Sequence, residues 1–164
     1  MKSILIAGWL MGVTPEEVTC LADNIYFEAR NQGLAGMLAV TNVVMNRVAD
    51  DRYPDTICEV VKQGPTRLSC KNTGELIPIL NKCQFSWYCD GKEDEPKEKE
   101  TYSNIHKLAF NILFQVTPYL DITEGATHYH ADHILPAWAA SKTMTIEIED
   151  HIFYKWEKNN EDVR

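Results

Sequence analysis

Leu34 to Val48 is apolar almost all the way round a helix. Met37, Leu38, Val40, Val43, Val44 and Met45 leave no continuous polar stripe, so a helix over these residues belongs in the middle of a core with the rest of the chain packed around it. The 164 residues suffice for that, because a domain of this size buries roughly two-thirds of its unfolded surface unaided. Hydrophobic residues at 45% and charged residues at 24% are ordinary for a globular protein. The net charge of −8 provides no uniform basic face for a phosphate backbone, so nucleic acid is not expected as a partner.

Residues 1–13 read differently from 14–164. The apolar run Ile4 to Val13 is roughly ten residues long, against about 20 needed to cross a bilayer, and no stable membrane insertion is expected. Lys2 followed by that run resembles a weak signal peptide, but Val13-Thr14-Pro15-Glu16 offers no small-x-small cleavage site. The segment reads as an uncleaved, packed element.

Around the central helix the pattern predicts an α+β domain, helices first and a small antiparallel sheet last. Thr14-Pro15-Glu16-Glu17 is a helix start with Thr14 as cap and Glu17 three residues on, and the helix should run to about Arg30. Shorter helices are expected over Thr56 to Gln63 and over part of Gly74 to Lys82, and a longer one over Thr101 to Val116, stopped by Pro118. Lys92 to Glu100 (KEDEPKEKE) reads as a solvated, mobile loop. Met144, Ile146 and Ile148, then Ile152, Tyr154 and Trp156, alternate with polar or opposite-face residues, which predicts two strands turning near Glu149-Asp150, with a third over Ala126 to His130.

Five cysteines do not fall into paired zinc spacing, and an odd count leaves at least one thiol free. Cys20, inside an apolar helical pattern, reads as a small buried side chain. Cys58, Cys70, Cys83 and Cys89 admit one or two disulfides of open connectivity, which would suit an oxidising compartment.

One carboxylate breaks the core pattern. Glu28 lies seven residues after Leu21, which at 100° per residue puts it within about 20° of that apolar position. Desolvation there disfavours the anion and raises the pKa, leaving an acid able to donate a proton near neutral pH. The bland alternative is a helix-end Glu paired with Arg30, Arg47 or Arg52.

Asn24-Ile25-Tyr26-Phe27-Glu28-Ala29-Arg30 with Gly36 to Val48, then Tyr53 to Val61, Cys83-Gln84-Phe85-Ser86-Trp87 with Asp90-Gly91, and Gly125 to His130 with Pro136-x-Trp138 and His151 to Tyr154, form ordered blocks. Together they resemble the catalytic domain of the SleB-type cell-wall hydrolases, the family of spore cortex-lytic enzymes and of phage or bacterial peptidoglycan hydrolases. The resemblance covers about residues 15 to 155, making 14–164 a SleB-like catalytic domain. Phe27 and Asn31 stand where the family commonly has Gly, and Gln32 replaces a frequent acidic residue. Pro65 to Lys82 and Lys92 to Glu100 look like insertions and receive no catalytic role.

The resemblance implies a lysozyme-like α+β fold and a lytic transglycosylase that cleaves the N-acetylmuramic acid to N-acetylglucosamine β-1,4 bond, with Glu28 as acid and then base. It implies no cofactor. Gln84, Phe85 and Ser86 match a block that would line the sugar groove, and Tyr26, Tyr129, His130 and Trp138 are further candidates for substrate binding. Plain hydrolysis stays open, because Asp90, Asp121, Glu124 and Asp132 flank the matched blocks and could position a water.

Two other classes compete. His128 and His130 share one face of a probable strand beside Asp132 and His133, which suggests a metal-dependent amidase or peptidase on the same polymer. A non-catalytic cell-wall-binding module is the other, and a Cys89 and His130 thiol hydrolase a distant third. The expected partner is the peptidoglycan glycan strand, acted on by a monomer. The site of action would be the periplasm or extracellular wall, with a cytoplasmic wait for a phage-made membrane hole as one route.

Overall fold

The structure is a computed structural model, and it describes residues 12–71, 74–114, 116 and 119–158. Most of the apolar run at 4–13 and the Pro118 stop lie outside the described residues. Among the described residues, four α-helices precede the C-terminal sheet: α1 (Pro15–Ala29), α2 (Leu34–Val48), α3 (Ile57–Val61) and α4 (Lys99–Leu113). A two-stranded hairpin, β1 (Thr66–Leu68) and β2 (Leu76–Pro78), sits between α3 and α4. A three-stranded antiparallel sheet follows, built from β3 (His128–Ala131), β4 (Thr143–Ile148) and β5 (His151–Lys155) in the order β3-β5-β4.

Helix α2 is the centre, as its composition predicts. Its Val44 and Met45 join a helical core with Leu21 and Ile25 of α1, Val60 and Val61 of α3, and Ile105 and Ala109 of α4. Its Ala39 and Val43 face the sheet, against Ala126 and Phe153. Only the first turn departs from the expectation, with Leu34 exposed.

The polar residues on α2 set the route of the chain into the sheet. Asn42 donates to the Tyr119 hydroxyl (2.8 Å) and the Leu120 carbonyl (3.2 Å), and accepts from the Ile122 amide (3.0 Å). Asn46 donates to the Ala126 carbonyl (2.9 Å), and Arg47 Nε donates to the Thr127 carbonyl (2.8 Å). These bonds satisfy buried backbone groups that a non-regular segment cannot pair by itself. They also hold the start of β3 against α2.

The N-terminus of α2 has no capping side chain of its own, since Gly33 stands at the cap. Glu149, from the β4–β5 turn, fills that role across the fold: its carboxylate accepts from the Gly33 amide (2.6 Å) and the Gly36 amide (3.1 Å). A side chain at either glycine would collide, because a Cβ would lie 2.7 Å from Glu149 Oε1 at Gly33 and 2.9 Å from Oε2 at Gly36. An anion at a helix N-terminus is favoured by the orphan amides and the dipole. Glu149→Ala should therefore lower stability by about 1 kcal/mol in urea denaturation, with Gly36→Ala at least as harmful. An unchanged midpoint for both would refute the cap. Gln32 reinforces the junction through a two-way pair with Asp150, donating from Nε2 to Oδ2 (2.9 Å) and accepting from its amide at Oε1 (3.3 Å).

Several expectations are corrected. Gly74 to Lys82 holds a strand, not a helix: Pro78 lacks the amide a helix interior needs, and Leu76–Pro78 pairs with Thr66–Leu68 instead. Thr14 does cap α1, accepting from the Glu17 amide (3.2 Å), but the Glu17 side chain does not close a capping box. It reaches the N-terminus of α3 and accepts from the amide of Ile57 (2.8 Å). Cys20 is not a lone buried thiol; it forms a disulfide with Cys58 that ties α1 to α3. Cys83 pairs with Cys89, and Cys70 is free and exposed.

Candidate active site

Glu28 lies near the C-terminal end of α1, one turn beyond the buried Leu21 and Ile25 stripe, and its side chain is half-buried. Tyr129 of β3 donates its hydroxyl to Glu28 Oε2 at 2.5 Å. Tyr129 packs against both the helical and the sheet core, with its ring 5.0 Å from that of His151 and 5.5 Å from that of Phe153. The contact therefore joins the two halves of the fold at the carboxyl. Burial pushes Glu28 above the ordinary glutamate range, while the Tyr129 bond and the nearby Arg47 charge pull against it. Burial, then the neighbouring Glu28, pushes Tyr129 well above the ordinary phenol value, so it remains a donor throughout the working pH range.

Two cavities meet at Glu28 and Ser86. The smaller, about 180 Å³, is lined by Glu28, Arg47, Gln84, Phe85, Ser86, His128, Tyr129 and Trp138. The larger, about 650 Å³, runs from Glu28 and Ser86 past Phe27 and Trp87 to Asp90 and the segment 92–98. Phe27 and Trp87 stack with ring centres 4.7 Å apart, and Trp87 Nε1 donates to the buried Asn24 Oδ1 at 3.0 Å. The Cys83–Cys89 disulfide closes the short loop that carries Gln84, Phe85, Ser86 and Trp87, so four lining residues sit inside one covalent ring.

Of the residues singled out from sequence, Gln84, Phe85, Ser86, Tyr129 and Trp138 line the smaller cavity with Glu28. Gln84 and Ser86 are exposed, whereas Phe85 is buried with its ring under the Arg47 guanidinium at 5.0 Å. Tyr26 lines the larger cavity, but its hydroxyl is already used, accepting from the amides of Lys97 (3.1 Å) and Glu98 (3.2 Å) just ahead of α4. Its work is to hold the cavity wall.

His130 is buried and lines neither cavity. Its Nδ1 is 2.8 Å from the Ala131 carbonyl and its Nε2 is 3.0 Å from the Tyr154 hydroxyl, so both ring nitrogens are committed inside the protein. That removes it as a metal ligand beside His128, and among the described residues no three His, Cys, Asp or Glu side chains cluster as a metal site. The disulfide at Cys89 likewise takes away the thiol that a Cys89 and His130 pair would need.

Three features of the site have a setting that only the structure shows, although the sequence singles out His128 as a metal candidate and Arg47 as a possible Glu28 partner. His128 lines the smaller cavity as a neutral ring: burial first, then the charges of Arg47, Lys142 and Arg52, push it down to about 3. The 92–98 segment is a wall of the larger cavity and not merely a solvated loop. Arg47, the i+3 neighbour of Val44 on a core helix, lines the smaller cavity with Glu28. The bland alternative for Glu28 does not hold either. Arg30 pairs with Glu98 (3.4 Å) and Arg52 with Asp50 (2.7 Å), and no ion pair within 4.0 Å joins Arg47 to Glu28.

Of the four further acids, Asp90 alone shares a cavity with Glu28. Its Oδ1 accepts from the Lys92 amide (2.9 Å), and its Oδ2 lies 3.4 Å from Lys92 Nζ, which holds it below the ordinary aspartate range. Asp121 instead anchors the loop ahead of β3, accepting from the amides of Thr123 (2.8 Å) and Gly125 (2.8 Å).

The chain matches known proteins in two ways. Its fold is similar to the catalytic domain of the germination-specific lytic transglycosylase SleB from Bacillus anthracis, with a TM-score of 0.61 at 23% identity over 88% of this chain and 98% of that one. It is also similar to the catalytic domain of the Bacillus cereus SleB protein, with a TM-score of 0.59 at 23% identity over 88% and 93%. No curated protein sequence matches it. The sequence model of the cell wall hydrolases matches residues 31–154, a stretch that begins just after Glu28 and spans α2, the Cys83–Cys89 loop and the sheet that supplies Tyr129. With that stretch covering well over half the chain, the protein belongs to the cell wall hydrolase family.

Proposed function

We propose that the protein is a lytic transglycosylase acting on peptidoglycan glycan strands, cutting the β-1,4 bond between N-acetylmuramic acid and N-acetylglucosamine. The observation that carries this reading is a desolvated carboxyl, Glu28, bonded to Tyr129 at the junction of two cavities that together make a groove. The similar Bacillus anthracis protein is a germination-specific lytic transglycosylase, which supports it.

In this reading protonated Glu28 gives its proton to the bridging oxygen as the C1–O bond of muramic acid breaks. The resulting carboxylate takes the proton of the muramic C6 hydroxyl, whose oxygen forms the new bond to C1. The product is a 1,6-anhydro end, no water is consumed, and Glu28 is returned to its acid form. An internal nucleophile is already held beside its target, which supplies the proximity a separate water would lack. The engaged state of Asp90 fits this better than a water-activating base. Gln84, Ser86 and Trp138 offer an amide, a hydroxyl and an indole face to the sugars. The 14–164 region acts as one catalytic domain, and the substrate places its action at the wall outside the membrane. No helix among the described residues is long and apolar enough to cross a membrane.

Purified glycan strands digested in isotope-labelled water and analysed by mass should yield anhydro ends without label. Labelled reducing ends would establish hydrolysis instead, and released peptides with intact strands would establish amidase action.

A further inference from the structure

Arg47 is almost wholly buried, yet little within the protein answers its charge. Of its guanidinium nitrogens only Nε has a hydrogen-bond partner among the described residues, the Thr127 carbonyl; Nη1 is buried without one. The rings of Phe85 and Tyr53 lie against it at 5.0 and 5.3 Å, and it borders the smaller cavity with Glu28. A buried cation without a carboxylate partner is costly, and such a residue is usually paired.

We propose that Arg47 is a positioning residue for catalysis, supplying the counter-charge for the Glu28 carboxylate that forms when the proton leaves. The inference rests on the reading of Glu28 as the acid. Burial raises the Glu28 pKa and so favours its acid form beside Arg47; as the bridging oxygen takes the proton, a negative charge appears in the same cavity and both groups are satisfied together. An interaction that strengthens along the reaction lowers the barrier, whereas one equally strong before and after does not. When the carboxylate takes the C6 proton, the same charge keeps it from being too strong a base to release the proton in the next cycle.

The other groups facing Glu28 do not substitute. From β3, Tyr129 contributes a hydrogen bond but no charge, and His128 is neutral. From α1, Arg30 is paired with Glu98. Across the larger cavity Asp90 is engaged by Lys92, and Glu93, Asp94, Glu95 and Lys97 stand on the outer wall, where acids outnumber bases.

The test is a carbon-13 titration of the Glu28 carboxyl, assigned by its absence in Glu28→Gln, in wild type, Arg47→Met and Arg47→Lys. Arg47→Gln, which retains a donor for Thr127, is the second neutral variant should the Met variant fail to fold. The expected result is a Glu28 midpoint raised by at least one pH unit in the neutral variants and close to wild type in Arg47→Lys. The alkaline limb of glycan cleavage should move with it, kcat should fall at least tenfold, and KM should stay within twofold. A folded neutral variant with an unshifted Glu28 midpoint would overturn the proposal while leaving Glu28 as the acid. Full activity in Glu28→Gln would overturn the underlying reading instead.

Discussion

Glu28→Gln is expected to reduce glycan cleavage by a hundredfold to ten-thousandfold, the range for losing a positioned general acid, while strand binding is retained. The amide preserves the shape of the carboxyl and can still accept from the Tyr129 hydroxyl, so the groove should keep its form. The same substitution should raise stability in a pH-dependent way. Burial raises the Glu28 pKa in the folded state above its unfolded value, so the folded chain holds a proton that the unfolded chain releases first. Wild-type stability therefore falls as pH rises from about the ordinary glutamate value of 4.5 to the higher folded value, then levels off. The Gln variant has no such loss, so its advantage should be absent at pH 4 and grow toward neutrality. Urea denaturation across that range reads it directly. A Gln variant no more stable at pH 7 than at pH 4, relative to wild type, would mean that the carboxyl is well solvated.

The second large effect is on stability alone. Replacing Cys20 and Cys58 by Ala should lower the unfolding free energy by about 4 kcal/mol, from the chain-entropy model for a ring closed across a separation of 38 residues. The reason lies mostly in the unfolded chain, which gains freedom once the ends of that ring are released. Cys20 is buried in the helical core, so Ala leaves little new void. Opening the Cys83–Cys89 ring should behave differently: its loop spans a separation of only 6 residues, so global stability changes less, but the groove edge carrying Gln84 to Trp87 is released and cleavage should suffer more. Denaturation and activity measured on both double variants separate the two disulfides. Equal losses of stability and activity in the two would contradict this division.

Much of the scaffold was legible because its signals are local. The helical spacing of Val18, Leu21 and Ile25, the Thr14 cap, and the alternation from Met144 to Tyr154 each depend on neighbours a few residues away. The odd position of Glu28 emerged from the same arithmetic, since a carboxyl near the Leu21 meridian must be drawn from water. What was not legible depends on partners far along the chain. Cys20 shows its disulfide only when α3 is laid across α1, and the hairpin at 66–78 has strands of three residues, too short to display a period of two. The Lys92 to Glu100 stretch has the composition of a solvated surface, and nothing within it reveals that the Tyr26 hydroxyl draws its end toward the acid. His130 shows the same limit: strand periodicity places it beside His128, but only the packed Tyr154 on β5 shows that its ring is engaged inside the protein.

The order of strands in the sheet bears on when Tyr129 can meet Glu28 during synthesis. Tyr129 lies on an outer strand whose sole partner in the sheet is β5, and β5 is the last strand among the described residues. While the ribosome still covers residues 151–155, the helices can gather around their own apolar centre, but the phenol has no ledge on which to sit opposite Glu28. The pairing of Tyr129 with Glu28 therefore waits for β5, which slots between β3 and β4.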